Sequence, residues 1–324
     1  MLRDLRYAVR MLRRNPGFAA VAICSLAIGI GATSSIYSIA DALLLRPLPV
    51  PNPGGVVAVT AVTDQLLAGL NTVSYPDYVD FRERNRTFAD LIAQTYSPFG
   101  FAPDATGLPR LKFGMFVSGN FFRVLGVEPA IGRGFRPDED QATGRDAVVV
   151  LSHDLWESEY GAKQSAIGER LWLNGIGFTI IGVAPESFAG TDQFIKPALY
   201  VPFAMSPRLT GVNNLDQRQF RWLTMKGRLK PGVTMAQAQA DIGGITNVLQ
   251  KTYPQIDGNL RAKVESQLQF QTEFSPPRTA FVVMLLLLSV CVLLVACANV
   301  AGLLLNRAGA LAREIAVRLA IGAG

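Results

Sequence analysis

Residues 279–306, TAFVVMLLLLSVCVLLVACANVAGLLLN, carry no charged side chain. At 1.5 Å rise per residue they are long enough to cross a ~30 Å hydrocarbon core with tilt to spare. This stretch decides the fold, because it predicts a transmembrane helix that passes directly into RAGALAREIAVRLAIGAG at 307–324. That second stretch is basic and amphipathic, and is expected to leave the bilayer and lie along its face. Glu314 and Arg318 stand at i,i+4 in the favourable order, and Ile315 and Leu319 make an apolar pair on another side. Two readings stand for it: a lever with one side on lipid or protein and the other toward a partner, or a juxtamembrane helix whose arginines snorkel to the headgroups.

Working outward, a second apolar run spans 18–45 with Asp41 as its only charge. It follows MLRDLRYAVRMLRRN at 1–15, whose Leu2, Leu5, Val9 and Leu12 form one helical stripe beside Arg3, Arg6, Arg10, Arg13 and Arg14. That pattern predicts an interfacial helix with a basic face, then transmembrane helix 1. A cleavable signal peptide with a site at Ala40-Asp41-Ala42 fits less well, since the basic region is long and Leu43-Leu44-Leu45 resumes the apolar pattern. Gly29-Ile30-Gly31 mimics part of a dinucleotide fingerprint, but no strand precedes it. Gly29 and Gly31, with Asn299 in the second span, are instead expected to serve span packing.

The arginines at 3–14 and Arg307, Arg313 and Arg318 place both termini in the cytoplasm under the positive-inside rule, with residues 46–278 on the far side. The net charge of +6 lies at these two places, which suits anionic lipid and no nucleic-acid surface. Cys24, Cys291 and Cys297 all fall in the spans, so the outer segment is expected to fold without disulfides.

After a proline-rich exit, RPLPVPNPGG at 46–55, the outer segment opens with a strand at 56–62, a helix at 75–85 and a strand at 88–96. A β-α-β order recurs near its end: a strand at 222–229, a helix capped by Thr234 to about residue 249, and a strand at 260–268. Between them, 111–215 is rich in short strands and turns, with a hairpin joined by Asn174-Gly175. The fold class expected is a membrane protein of α+β type, with two transmembrane helices flanking an extracytoplasmic β-α-β subdomain (56–110 and 216–278) that carries an inserted β-rich subdomain.

No catalytic constellation emerges. Ser152-His153-Asp154 holds triad residue types, but consecutive side chains diverge, and Ser152 reads better as the cap of a short helix at 153–160 stopped by Gly161. His153 is the only histidine, which rules out a histidine-based metal cluster. Asp138, Glu139 and Asp140 lack the calcium-loop spacing and read as a solvated acidic turn. No GxxxxGK[ST] phosphate loop occurs. The chain is therefore read as no enzyme, with no cofactor or metal of its own.

The stretch Arg313-Glu314-Ile315-Ala316-Val317-Arg318-Leu319-Ala320-Ile321-Gly322-Ala323 resembles the coupling-helix element of MacB/FtsX-type permeases of ATP-binding cassette (ABC) transporters. LRYAVRMLRRNPGF, LLLRPLPVPNP, VVVLSHDLW and LNGIGFTIIGVAPESFAG resemble their duplicated orphan (ADOP-type) branch. The resemblance implies a Porter-like β-α-β subdomain, a Sabre-like insert, and a coupling helix docking on a separate ABC ATPase subunit that holds ATP and Mg. It implies Arg313, Glu314, Ile315 and Arg318 as ATPase-coupling residues, a second permease copy or half as dimer partner, and an adaptor protein in the periplasm. Family members carry four spans, so the resemblance implies that these residues are a fragment or a truncated permease. Three functions stay open: export of a small molecule, peptide or lipoprotein by mechanotransmission; an FtsX-like regulator or peptide sensor; and a membrane-anchored binding domain without transport.

Overall fold

The computed structural model describes residues 16–40, 47–62, 72–192, 195–274 and 276–320. They fall into two compact units, one from the two chain ends and one spanning Pro47–Phe274. The expected interfacial helix at 1–15 lies outside the described residues.

The first unit opens with α1 (Pro16–Ala40). The second then runs β1 (Val56–Val62), α2 (Tyr75–Arg84), β2 (Phe88–Ala102), β3 (Arg110–Val117), α3 (Phe121–Leu125), β4 (Ile131–Gly132), β5 (Val148–Leu151) and α4 (His153–Tyr160). It continues through β6 (Arg170–Leu173), β7 (Ile176–Val183), β8 (Leu199–Pro202), α5 (Ser206–Thr210), β9 (Thr224–Leu229), α6 (Met235–Thr252), α7 (Pro254–Asp257), β10 (Arg261–Glu265) and α8 (Gln267–Phe274). Helix α9 (Pro276–Ala320) returns the chain to the first unit.

Local chemistry sets many of these boundaries. Ser74 Oγ accepts from Asp77 N–H at 3.2 Å and Ser152 Oγ from Leu155 N–H at 3.1 Å, capping α2 and α4. Thr234 and Gln237 cap α6 reciprocally: Thr234 Oγ1 accepts from the Gln237 N–H and Gln237 Oε1 from the Thr234 N–H. The α6 residues Ala238, Ile242, Ile245 and Leu249 recur at helical spacing and are buried. In the β6–β7 hairpin Asn174 has φ 50° and Gly175 φ 80°, the left-handed pair that a tight I′ turn needs.

The sheet order is β10-β1-β9-β2-β3-β8-β5-β7-β4, with β6 pairing β2 and β7. Strands β10, β1, β9 and β2 pair antiparallel, whereas β3 with β8 and β5 with β7 are parallel. One face of the first four strands packs Val57, Val59, Leu91 and Met225 against Tyr78 and Phe81 of α2 and Ile242 and Leu249 of α6. A second cluster, led by Ile92, Met115, Phe121, Phe122 and Tyr200, gathers on the alternate side.

The longest strand joins the two sequence-defined parts. β2 pairs with β9 through its first half, Phe88 to Gln94, and with β3 through its second, Gln94 to Phe101. The β-rich insert therefore extends the sheet of the β-α-β part within one compact unit. The strand expected at 88–96 runs on to Ala102, since Phe99 and Phe101 find a partner strand and burial.

Candidate functional site

In the first unit, α1 and α9 contain apolar segments Ala19–Ile39 and Ala280–Leu305, both long enough to cross a membrane. They pack on each other through small residues. A Cβ placed on Gly29 would stand 2.8 Å from the Ala296 Cβ, closer than real side-chain carbons come, so hydrogen at Gly29 is what lets the helices meet. Beside this contact runs a groove of about 300 Å³ bordered by Ser25, Cys291, Val295 and Asn299. Thr33 Oγ1 donates to Gly29 O at 2.8 Å, satisfying its hydroxyl within the helix.

The three expected packing residues separate here. Gly29 sits at the contact and Asn299 is exposed at the groove. Gly31 takes no part in the contact with α9, since a Cβ there would meet nothing within 4 Å among the described residues. Two residues advance a helix by about 200°, so Gly29 and Gly31 cannot both face one neighbour.

Helix α9 continues unbroken from the apolar segment to Ala320. At 1.5 Å per residue its 45 residues extend about 67 Å, more than twice a hydrocarbon core. A surface helix leaving the bilayer is expected after residue 306, but the helix runs through this point without a break and only its composition changes. Arg313, Glu314, Ile315 and Arg318 lie on its final turns, and their side chains are outside the described residues.

In the second unit the structure shows anchors that sequence reasoning missed. Lys226 and Arg228 are two apart on β9 and share the face opposite α2 and α6. Arg228 holds the chain leaving α1: its Nη2 donates to Pro51 O at 3.1 Å and Leu125 O at 2.8 Å, and its Nε to Val124 O at 2.7 Å. Leu48 and Val50 of the same exit are buried. Lys226, 1% exposed, holds the chain entering α9: its Nζ donates to Gln267 Oε1 of α8 at 3.0 Å and to Thr191 O at 2.9 Å. Its ammonium also stands 5.4 Å from the Phe270 ring centroid. Burial pushes the Lys226 ammonium down to about 8, with Asp192 opposing the shift. In sequence, the alternation in TMKGRL reads as a half-exposed strand with solvated bases, and nothing local announces their burial.

A second ionic cluster closes the return from the insert. Arg218 donates to Asp77 Oδ1 and Asp80 Oδ2, both at 2.5 Å, and stacks 3.9 Å over the Tyr253 ring. Arg221 hydrogen-bonds Asp257 and lies 3.0 Å from Asp77 Oδ2 as an ion pair. Asp77 and Asp257 are wholly buried. Burial and the neighbouring Asp77 push the Asp257 carboxyl up against the pull of Arg221 and Arg218. The arrangement fixes segments in place and positions no reacting group. Among the described residues there is no cluster of three metal-ligating side chains.

Residues 19–245 match the MacB-like periplasmic core domain. The chain belongs to that family. Among curated members related to this MacB-like chain, the macrolide export ATP-binding/permease protein MacB of Escherichia coli (strain K12) is 24% identical over 345 aligned positions, covering 98% of this chain and 47% of the relative. The protein of the same name from Shigella dysenteriae is 24% identical over 257, covering 74% and 36%. The MacB-like chain thus spans about half or less of the length of these relatives. Among solved structures, the periplasmic region of MacB from Actinobacillus actinomycetemcomitans aligns with TM-score 0.49 and 14% identity over 69% of this chain and 94% of that one.

Proposed function

We propose that the chain is part of an ABC-transporter permease that passes ATP-driven motion to its outer domain, for export of a small molecule, peptide or lipoprotein. In this reading both termini are cytoplasmic, residues 46–278 are extracytoplasmic, and a second copy or half completes the membrane bundle. ATP and Mg reside on an ATPase partner, and a periplasmic adaptor receives the cargo. The ATPase grips Arg313, Glu314, Ile315 and Arg318 on the cytoplasmic end of α9, and the helix carries the displacement through the membrane as one piece.

The observation that supports this reading best is the pair of anchors on β9. Arg228 ties down the exit from α1 and Lys226 ties down α8, which leads into α9. Charge-assisted hydrogen bonds of this kind contribute roughly 1.5–3 kcal/mol each, so a moving helix has a firm attachment. The family membership and the export and permease terms in the relatives' names point the same way.

The test is co-purification from membranes of the native chain and of a variant with Arg313, Glu314 and Arg318 replaced by alanine. An ATPase subunit accompanying the native chain alone is the expected result. Equal recovery with both, or with neither even when a complete four-span permease is used, overturns the coupling assignment. In that complete permease, Glu314→Lys is expected to leave membrane insertion intact and to uncouple ATP turnover from export.

A further inference from the structure

Within the outer unit, α2, the turn that opens α3 and the stretch 135–141 enclose a cleft of about 480 Å³. That lies inside the roughly 300–1,000 Å³ range of small-molecule sites. The cleft stands between the β-α-β part and the insert, and its charges are unbalanced locally in both directions. Arg82 and Arg123 converge on one carboxylate, Asp90: Arg82 Nε donates to Oδ1 at 2.9 Å and Arg123 Nη2 to Oδ2 at 2.9 Å. Two cations on one anion leave a positive charge over, with guanidinium N–H groups still unbonded.

Negative charge is left over as well. Glu83 has no ion-pair partner among the described residues. Asp140 is hydrogen-bonded by uncharged donors, the Gly119 N–H at 2.7 Å and the Ala204 N–H at 3.1 Å, and Arg82 acts on it without an ion-pair contact. A Cβ on Gly119 would come within 2.7 Å of the Asp140 Cβ, so the glycine is what allows the carboxylate to fold back on this turn. Tyr75 also lines the cleft, and its hydroxyl has no hydrogen-bond partner among the described residues. Burial raises its pKa, so it stays protonated and able to donate. Val79 and Phe135 supply an apolar wall.

A simple anion would meet Glu83 and Asp140, and a simple cation would meet the surplus of Arg82 and Arg123. A like-charge contact near ~4 Å in a partly buried cleft is strongly unfavourable. A molecule carrying both charges on a short body avoids both penalties and gains both attractions. We propose that this cleft binds a small zwitterion of the amino-acid or short-peptide class, its carboxylate on Arg82 and Arg123 and its ammonium on Glu83 and Asp140. The assignment stands apart from the transport reading, since it concerns binding to the outer domain alone.

The test is isothermal titration of the full chain in detergent with trialanine, N-acetyl-trialanine and trialanine amide as probes. Saturable binding of trialanine is expected, with at least tenfold weaker binding of the two derivatives that each lack one charge. Arg123→Ala and Glu83→Gln are each expected to weaken trialanine at least tenfold, and Arg123→Lys to restore part of the loss. The Arg123 side chain is 70% exposed and Glu83 is also exposed, so neither change threatens the fold, which the tryptophan emission spectrum confirms. Absence of trialanine binding to the native chain, equal binding of the three probes, or unchanged affinity in both folded variants overturns the proposal.

Discussion

The two units handle polar and apolar surface in opposite senses. In the outer unit the apolar side chains turn inward and several charges go in with them: Asp77, Asp257 and Lys226 are all essentially buried, each with named partners. In the helix pair the large side chains point outward, with Leu287 and Leu294 each 63% exposed and Leu305 73%, while the contact is made by Gly29 and Ala296. Lipid removes the penalty for exposing leucine, and close approach of backbones replaces burial as the basis of packing. The comparison teaches that stability in the outer unit depends on charge pairing and in the helix pair on the absence of a side chain.

The sharpest way to break this contrast is to remove one partner of the buried cluster. Arg218→Ala leaves Asp77 and Asp257 short of a cation, and a loss of about 3–5 kcal/mol is expected. All three tryptophans, Trp156, Trp172 and Trp222, lie in the outer unit, so denaturant unfolding followed by their fluorescence reads this unit alone. A loss within experimental error would show that the cluster is replaceable by water.

The next effect is a pH dependence. Burial lifts the Asp140 carboxyl from 3.8 to about 6, against the pull of the Gly119 and Ala204 N–H groups. Between those values the folded form binds more protons than the unfolded one, so this group's contribution falls as pH rises through about 4 to 6 and is level above. At 1.36 kcal/mol per pKa unit the change is on the order of 3 kcal/mol, and Asp140→Asn is expected to flatten it. The check is unfolding free energy measured by the same fluorescence across that window.

Smaller effects test the steric half of the comparison. Gly227→Ala in β9 would bring a Cβ to 2.4 Å from Leu91 Cδ2 and Phe88 Cδ1, and a loss of about 1–3 kcal/mol is expected by denaturant titration. In the helix pair, Gly29→Val is expected to lower disulfide yield between Cys291 and an introduced Ser25→Cys, two positions that border the same groove. Gly31→Val, facing open space, is expected to leave that yield unchanged, within about 0.5 kcal/mol of the parent. Equal effects of the two valines would assign the helix contact to another pair of residues.

Legibility in the sequence followed the range of the interaction. Ser152 and Gly161 bound α4 as expected, Asn174-Gly175 makes the hairpin turn, and Thr234 caps α6, because each signal acts over a few residues. The strand expected at 260–268 stops at Glu265, where Ser266 and Gln269 form a reciprocal cap and start α8. That S-x-x-Q signal is present in the chain but is masked by the apolar alternation around it. β2 runs past the expected end at Tyr96 and through Pro98 and Gly100, held by eight paired positions with β3. The anchors and the cleft were not legible at all. Arg228 meets Pro51 across 177 positions, Arg123 meets Asp90 across 33, and Gly119 meets Asp140 across 21, so only the folded sheet brings these groups together.

The position of β9 between β1 and β2 has a mechanical consequence. Both attachment points hang on a strand clamped by hydrogen-bond ladders along its two edges. Shear by one residue would swing Lys226 and Arg228 onto the buried apolar face of the sheet that holds Leu91, and carry Met225 off it. That ratchet is closed to single steps. A force applied at Pro51 or at Gln267 would therefore meet a strand that cannot slide by one residue.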